Sequence, residues 1–349
     1  MGKKDDNTMK ENKPVFKKQS RKEFEAAEFA KQIQEGSRSA LARGITLIES
    51  NASHHFKDAQ TLLQKLLPFT GHSIRIGITG VPGAGKSTFI EAFGLYLCEM
   101  GHKVAVLAVD PSSSVTGGSI LGDKTRMEQL SRHPSAFIRP SPSAGRLGGV
   151  HRKTRESMLL CEASGYDVIL VETVGVGQSE VSVREMVDFF LLLTLTGAGD
   201  ELQGMKKGIM ELADAIIVNK ADGENQSLAE KTAHEYRKIL HFLQPATVGW
   251  ETKALACSAI TKKGIPEIWD TIVEFAKIGE KSGTWDDRRR KQLQDWFHNV
   301  ISDQLHYSFY QNDKVKSMLP PIEKEILEGG ITPARAAEIL LGQFYENSN

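Results

Sequence analysis

The sequence predicts an α/β fold, a doubly wound and mostly parallel sheet with helices on both faces, extended by helices at either end. Two observations carry this expectation. Between residues 74 and 275, short and nearly continuous apolar runs alternate with stretches at helical spacing, the pattern of strands buried on both faces. The first of these runs, with Ile74, Ile76 and Ile78 at alternate positions, leads directly into Gly80-Val81-Pro82-Gly83-Ala84-Gly85-Lys86-Ser87-Thr88 and a helix-compatible stretch. This is the G-x-x-x-x-G-K-[ST] pattern in its proper strand-to-helix context, so a P-loop nucleoside triphosphatase fold is expected.

Taken in order, residues 1–20 form a lysine-rich tail with no apolar centre, read as a solvated, disordered segment and not as a secretory or transit peptide. Residues 21–70 read as a helical extension: Phe24, Ala27, Ala30 and Ile33 recur at helical spacing, Leu41, Ile45 and Ile48 follow a Gly-Ser break, and Leu62, Leu63, Leu66 and Leu67 close a further helix. The adjacent His54 and His55 point in different directions on a helix and are expected at the surface. The nucleotide domain is placed at 71–280, with strands after the P-loop at 103–109, 136–139, 166–171, 189–195, 215–218 and 254–257. Beyond it, 281–349 reads as helices only, over 285–305, 314–327 and 332–344, joined at Pro320-Pro321 and Gly329-Gly330. These helices are too few for a core of their own and are expected to pack on the main domain or on another subunit.

Composition narrows the function. The 349 residues carry a formal net charge of zero, which argues against general nucleic-acid binding. Cys98, Cys161 and Cys257 lie far apart without a C-x-x-C pair, so neither a disulfide framework nor a zinc site is indicated, and a reducing cytoplasm fits. No apolar run has the length needed to cross a bilayer, so no membrane association is expected.

The chemistry resides in loops at the carboxyl ends of the strands, where ligands of doubly wound sheets bind. Backbone N–H groups of the P-loop converge on phosphates, Lys86 reaches the β- and γ-phosphates, and the Ser87 hydroxyl ligates Mg²⁺. Glu172 ends a strand and Gly175 follows three residues later, the layout of a metal-side carboxylate and a γ-phosphate-sensing N–H. The usual acid there is aspartate, so contact with the metal is direct or through water. Asn219-Lys220-Ala221-Asp222 is an N-K-x-D pattern whose aspartate can accept from N1–H and the exocyclic amine of guanine. Adenine offers neither donor in that arrangement, so GTP and GDP are the expected ligands. Cys257-Ser258-Ala259 resembles the loop that supports the same base.

With these motifs in place, the chain resembles the methylmalonyl-CoA mutase-associated GTPase chaperones of the MeaB type, formerly described as lysine/arginine/ornithine transport ATPases. The resemblance runs from about Arg21 to the C-terminus and rests on GVPGAGKST, VDPSS with GDKTRM, SPSAGRLGGVHRKTRE, VETVGVGQSE, TGAGDELQGMKKGI and NKAD. It implies that Asp110 and Asp123 are switch I acids joining Ser87 and Glu172 around Mg²⁺. It also implies that residues 172–180 form switch II and that Asp200, Gln203 and Lys206 lie in a third mobile loop coupling nucleotide state to a mutase. The C-terminal helices would build a homodimer. The implied work is gating adenosylcobalamin delivery to a B12-dependent acyl-CoA mutase and protecting or rescuing it, with an indirect link to an adenosyltransferase.

Small signalling GTPases place a water-orienting glutamine directly after the switch II glycine; here that position is Val176 and the nearest glutamine is Gln178. Hydrolysis by the isolated chain is therefore expected to be slow and to need completion by a partner or a rearranged loop. Arg146, Arg152 and Arg155 are candidate charge stabilisers, with surface or structural roles the commoner alternative. Competing functions are a nickel-insertion GTPase, which would show Cys/His-rich segments, a transport ATPase, which N-K-x-D opposes, and a static GTP-binding scaffold without turnover.

Overall fold

A computed structural model describes residues 25–50, 52–109, 127–140, 147–173, 179–196 and 207–346. The strands are β1 Ile74–Gly80, β2 Val104–Val109, β3 Ala136–Arg139, β4 Val168–Thr173, β5 Phe189–Thr194, β6 Ala215–Val218 and β7 Lys253–Ala256. They form one sheet of seven strands in the order β3-β2-β4-β1-β5-β6-β7, every pair parallel. The expected doubly wound sheet is present. Chain order reverses at β1, with β2, β3 and β4 on one side and β5, β6 and β7 on the other, which makes its carboxyl end the switch point where such sheets bind ligands.

The apolar strands sort by alternation into two layers. One face, with Ile76, Ile78, Val104, Val106, Leu170, Leu191 and Ile217, packs under helices α4 (Lys86–Glu99) and α10 (Ile265–Ser282) through Phe89, Phe93, Ile268 and Phe275. The opposite face is covered in two parts. Leu107, Ile169 and Val171 meet α1 (Ala26–Gln34), α2 (Arg38–Glu49), α3 (Ser53–Leu66) and α6 (Leu147–Ala163); Leu192, Ile216 and Val218 meet α8 (Lys207–Leu212) and α9 (Gln226–Leu240). The helical extension is thus part of the core, with Ile33, Leu41, Ile45, Leu62 and Leu66 fully buried. Each contributes on the order of 2 kcal/mol by leaving water. Local sequence sets the helix ends: Ser37 accepts from the Ala40 N–H at 3.3 Å, and Gly283, in the left-handed region at φ 78°, ends α10. Two short helices, α5 (Glu128–Arg132) and α7 (Ser179–Arg184), complete the domain.

The C-terminal region begins with α11 (Thr284–Gln311), 28 residues and about 42 Å long at 1.5 Å per residue. Its first turns lie on the domain, with Trp285 against Phe275. Around its far end α12 (Asp313–Leu327) and α13 (Pro333–Glu346) gather Val315, Ile322, Ala336 and Leu340 into a small cluster with Phe309 and Phe344 packed on it. The region therefore has a modest core of its own. A second difference concerns Pro320-Pro321, expected as a joint but found inside the continuous helix α12. Proline fixes φ at a helical value, and the missing N–H groups free the carbonyls of Lys316 and Ser317 on an exposed face where water can serve them. Val315 and Ile322, buried on the other face, hold the helix together.

Candidate functional site

At the switch point, β1 ends in Gly80, where a Cβ would lie 2.3 Å from the Leu193 carbonyl oxygen, so only glycine lets the loop leave beside β5. The loop closes at Gly85, left-handed at φ 80°, which caps α4 and aims its free N–H groups at the space above the loop. Lys86 Nζ folds back over the turn, donating to Gly80 O at 2.8 Å and Val81 O at 3.5 Å. Burial pushes its pKa below the ordinary lysine value, with Glu172 and Glu180 opposing the shift. An ammonium partly withdrawn from water and resting on loop carbonyls, next to the N-terminus of α4, is suited to the charge of a polyphosphate.

Ser87 Oγ donates to Glu172 Oε1 at 3.3 Å. Parallel pairing brings them together, since Glu172 stands opposite Ile78 of β1 and Ala108 of β2 in the sheet register. A hydroxyl and a buried carboxylate meeting beside a phosphate loop are oxygen donors of the kind Mg²⁺ prefers, so these residues fit that ion. In the next register position Thr173 donates to Thr79 at 2.8 Å, a fully buried cross-strand bond that fixes the level of β4 against β1. Nothing in the sequence announced that pair, because two threonines 94 positions apart carry no local signal.

The second half of the site follows β6 and β7. Asn219, buried, donates to Ala84 O at 2.8 Å and accepts from the Ala259 N–H at 3.3 Å, so one amide ties the phosphate loop to the base turn. Lys220 adopts a left-handed φ of 61°, uncommon for a residue with a side chain. A Cβ on Gly85 would lie 3.0 Å from Asn219 Nδ2 and 3.9 Å from the Lys220 side chain, which places that chain alongside the loop. Ser258 donates to Asp222 Oδ2 at 2.6 Å and accepts from the Thr261 N–H at 3.1 Å. The Asp222 carboxylate is therefore held with one oxygen engaged, and the other can serve a base edge.

Gly80, Val81, Pro82, Gly83, Ala84, Gly85, Lys86, Ser87, Thr88, Glu172, Asn219, Lys220, Asp222, Ser258 and Ala259 thus line the carboxyl ends of β1, β4, β6 and β7. Asp110, Asp123, Gly175, Asp200, Gln203 and Lys206 lie outside the described residues, as do Arg146, Val176 and Gln178. Two candidate charge stabilisers are engaged elsewhere: Arg152 stacks over Phe56, and both terminal nitrogens of Arg155 donate to backbone carbonyls. The sequence also gave no hint of Asn225, which donates to Lys220 O at 2.8 Å and accepts from Thr196 at 2.8 Å. It joins the base turn to Thr196, just past the end of β5.

A P-loop backed by the Ser87–Glu172 pair, with an N-K-x-D turn steadied by Ser258, defines a GTPase. The profile of the family described as methylmalonyl Co-A mutase-associated GTPase MeaB matches residues 41–314, so the chain belongs to that family. Similar proteins include a putative GTPase of Caulobacter vibrioides, 53% identical over 309 residues that span 88% of this chain and 94% of that protein. GTPase ArgK of Escherichia coli is 49% identical over 82% of this chain and 87% of its own length. The mitochondrial methylmalonic aciduria type A homolog of Mus musculus is 45% identical over 88% of this chain and 77% of its own. Among solved structures, a LAO/AO transport system kinase superposes with a TM-score of 0.73 at 38% identity, over 92% of this chain and 97% of that one. The chain is accordingly a GTP-hydrolysing enzyme of the MeaB family. Among the described residues no helix is long and apolar enough to cross a membrane.

Proposed function

We propose that this GTPase gates the delivery of adenosylcobalamin to a B12-dependent acyl-CoA mutase, methylmalonyl-CoA mutase foremost, and protects or reactivates that enzyme. The observation that carries the reading is the Ser87–Glu172 contact, a nucleotide-state site in a chain of a family described as mutase-associated. In this reading Ser87 and Glu172, with Asp110 and Asp123, hold Mg²⁺, which when bound neutralises charge on the β- and γ-phosphate oxygens. Lys86 and the loop N–H groups bind and orient the phosphates, and Asp222 selects guanine. No side chain at Val176 orients water, so turnover waits for the partner.

The same reading assigns the chain to the cytoplasm, as a homodimer, with the adenosyltransferase an indirect neighbour. Support for the dimer comes from α11, where Leu293, Phe297, Ile301 and Leu305 form one stripe at intervals of four residues and are 61%, 62%, 41% and 61% exposed. An apolar stripe of this kind calls for a cover, and a second copy of the stripe is its simplest complement. Phosphate release by the chain alone and with purified methylmalonyl-CoA mutase tests the function. Acceleration together with co-elution of the two proteins is expected, and a chain that neither binds nor responds to the mutase is a GTPase of another pathway. Absence of any turnover, with or without mutase, would mark a static scaffold.

A further inference from the structure

Arg155 is buried in α6, its guanidinium 5.7 Å from the centroid of the Trp296 ring. Nη1 donates to Gln292 O in α11 at 2.8 Å and Nη2 to Glu185 O at 2.8 Å, immediately after α7. Other contacts grip the same strap. Gln292 Nε2 donates to Val187 O at 2.8 Å, Arg288 donates to Asp188 O, and Arg289 donates to the two Asp188 oxygens at 2.8 and 2.7 Å. Arg184, the last residue of α7, donates to Leu212 O, the last residue of α8, at 2.9 Å, and pairs with Asp214 at 3.3 Å; Arg288 lies 3.7 Å from the same carboxylate. The segment 184–188 is thus fastened to the first turns of α11 just before it enters β5 beside β1.

At its other end α7 begins at Ser179, within the 172–180 stretch whose sequence resembles switch II. Six residues of helix behave as a rigid rod, so a displacement at Ser179 is felt at Arg184. There is also room for movement. A cleft of about 200 Å³ lies beside this rod, with Ser182 and Glu185 on one wall and Trp296 and Asn299 on the other.

The geometry points to Arg155 as a positioning residue that makes the strap 184–188 and the base of α11 one unit, so that nucleotide state sets the orientation of the C-terminal arm. The proposal rests on the reading of 172–180 as switch II and goes beyond it by naming the route out of the nucleotide site. Linkage then requires the converse, that an arm held in one orientation biases the nucleotide state. Charged donors in buried bonds to carbonyls resist stretching, which keeps the unit from dissipating the motion locally.

The test uses the full chain with spin labels at Lys65→Cys in α3 and Glu323→Cys in α12, both exposed, while the three native cysteines are buried. Labelled chain is diluted into an excess of unlabelled chain so that only intramolecular distances are read. Hydrogen exchange over 174–184 is followed in parallel. The expected result is a label distance that differs between GDP and a non-hydrolysable GTP analogue. Arg155→Met should shrink the difference between the two distance distributions, the bonds of Gln292, Arg288 and Arg289 to 187–188 keeping a remainder, with GDP affinity unchanged, and Arg155→Lys should restore part of what is lost. If Arg155→Met does not fold, Gln292→Leu carries the same expectation. Exchange that responds to nucleotide while the distance does not, or a full distance change in Arg155→Met, overturns the coupling and leaves switch II standing. No nucleotide response in exchange over 174–184 removes the switch II reading and the proposal with it.

Discussion

Ser258 donates to Asp222 Oδ2 at 2.6 Å, and this bond orients a carboxylate that would otherwise rotate freely on its two torsions. A fixed acceptor discriminates by leaving the wrong base with unpaired donors or acceptors. Asp222→Asn inverts the demand at one atom and should shift preference from GTP toward XTP by roughly 100-fold or more. Competition binding against both nucleotides checks this; an unchanged GTP/XTP ratio would remove Asp222 from the base site.

Lys86 gives a pH dependence. Burial lowers its pKa, with Glu172 and Glu180 opposing, and phosphate binds the protonated form. GTP affinity should therefore be complete at neutral pH and decline as pH rises, starting below the range of an ordinary lysine at 10.5. Lys86→Arg, which does not titrate there, should lose this component and retain only the loss due to the guanine N1–H. Lys86→Ala should weaken GTP binding at every pH by about 10- to 100-fold, the worth of a charge-assisted contact. Wild-type affinity in Lys86→Ala would be incompatible with the P-loop assignment.

Stability should show an acid limb set by Glu162. Burial pushes its carboxyl up, but Arg75, Ser73 and the Gly71 N–H outweigh burial and hold it below the ordinary 4.5. Arg75 Nε donates to it at 2.8 Å and Ser73 Oγ at 2.5 Å. A depressed folded-state value means the stabilisation is full above the unfolded-state pKa and is lost as pH falls through the folded one. Glu162→Gln should cost roughly 3 kcal/mol at pH 7 by leaving Arg75 without its charge partner, and should flatten the dependence below pH 4.5. Urea unfolding of both proteins at pH 7 and pH 4 measures this, and equal slopes against pH would contradict it.

Gln203→Ala with Lys206→Ala should leave basal GTP hydrolysis nearly unchanged, because Lys86, Ser87 and Glu172 are untouched. The same variant should lose most of the acceleration by mutase, since coupling needs a contact that differs between the two states. Turnover of each protein, alone and with saturating mutase, decides the matter; equal stimulation leaves 196–208 a connector.

Much of this was legible from local pattern. The four-residue strands at 136–139 and 215–218 fall where the apolar runs put them: the first runs out at Arg139 and Pro140, and the second is bounded by Asp214 and Asn219. The places of the P-loop, Glu172 and Asp222 at the carboxyl ends of strands were readable because each motif puts its residue types at a fixed offset from such an end. Pro320-Pro321 misled because a helix-breaking rule was applied without knowing that the freed carbonyls face water. Arg155 was unreadable for a different reason: its partners are 30 and 137 positions away, and a lone arginine in sequence gives no sign that carbonyls await it. The same holds for Thr79 with Thr173 and for Asp188 with Arg289, which only the parallel register and the docking of α11 bring together.

The most direct test of the central claim is the loading of adenosylcobalamin into cofactor-free methylmalonyl-CoA mutase, followed by the absorbance change of the bound cofactor. Transfer from the adenosyltransferase is measured with this chain in its GDP form, with GTP, and with a non-hydrolysable analogue. Gating predicts that the analogue holds transfer back while GTP permits it at the rate of hydrolysis, and that Lys86→Ala abolishes this dependence. Transfer at the same rate under all three nucleotide conditions would contradict the account.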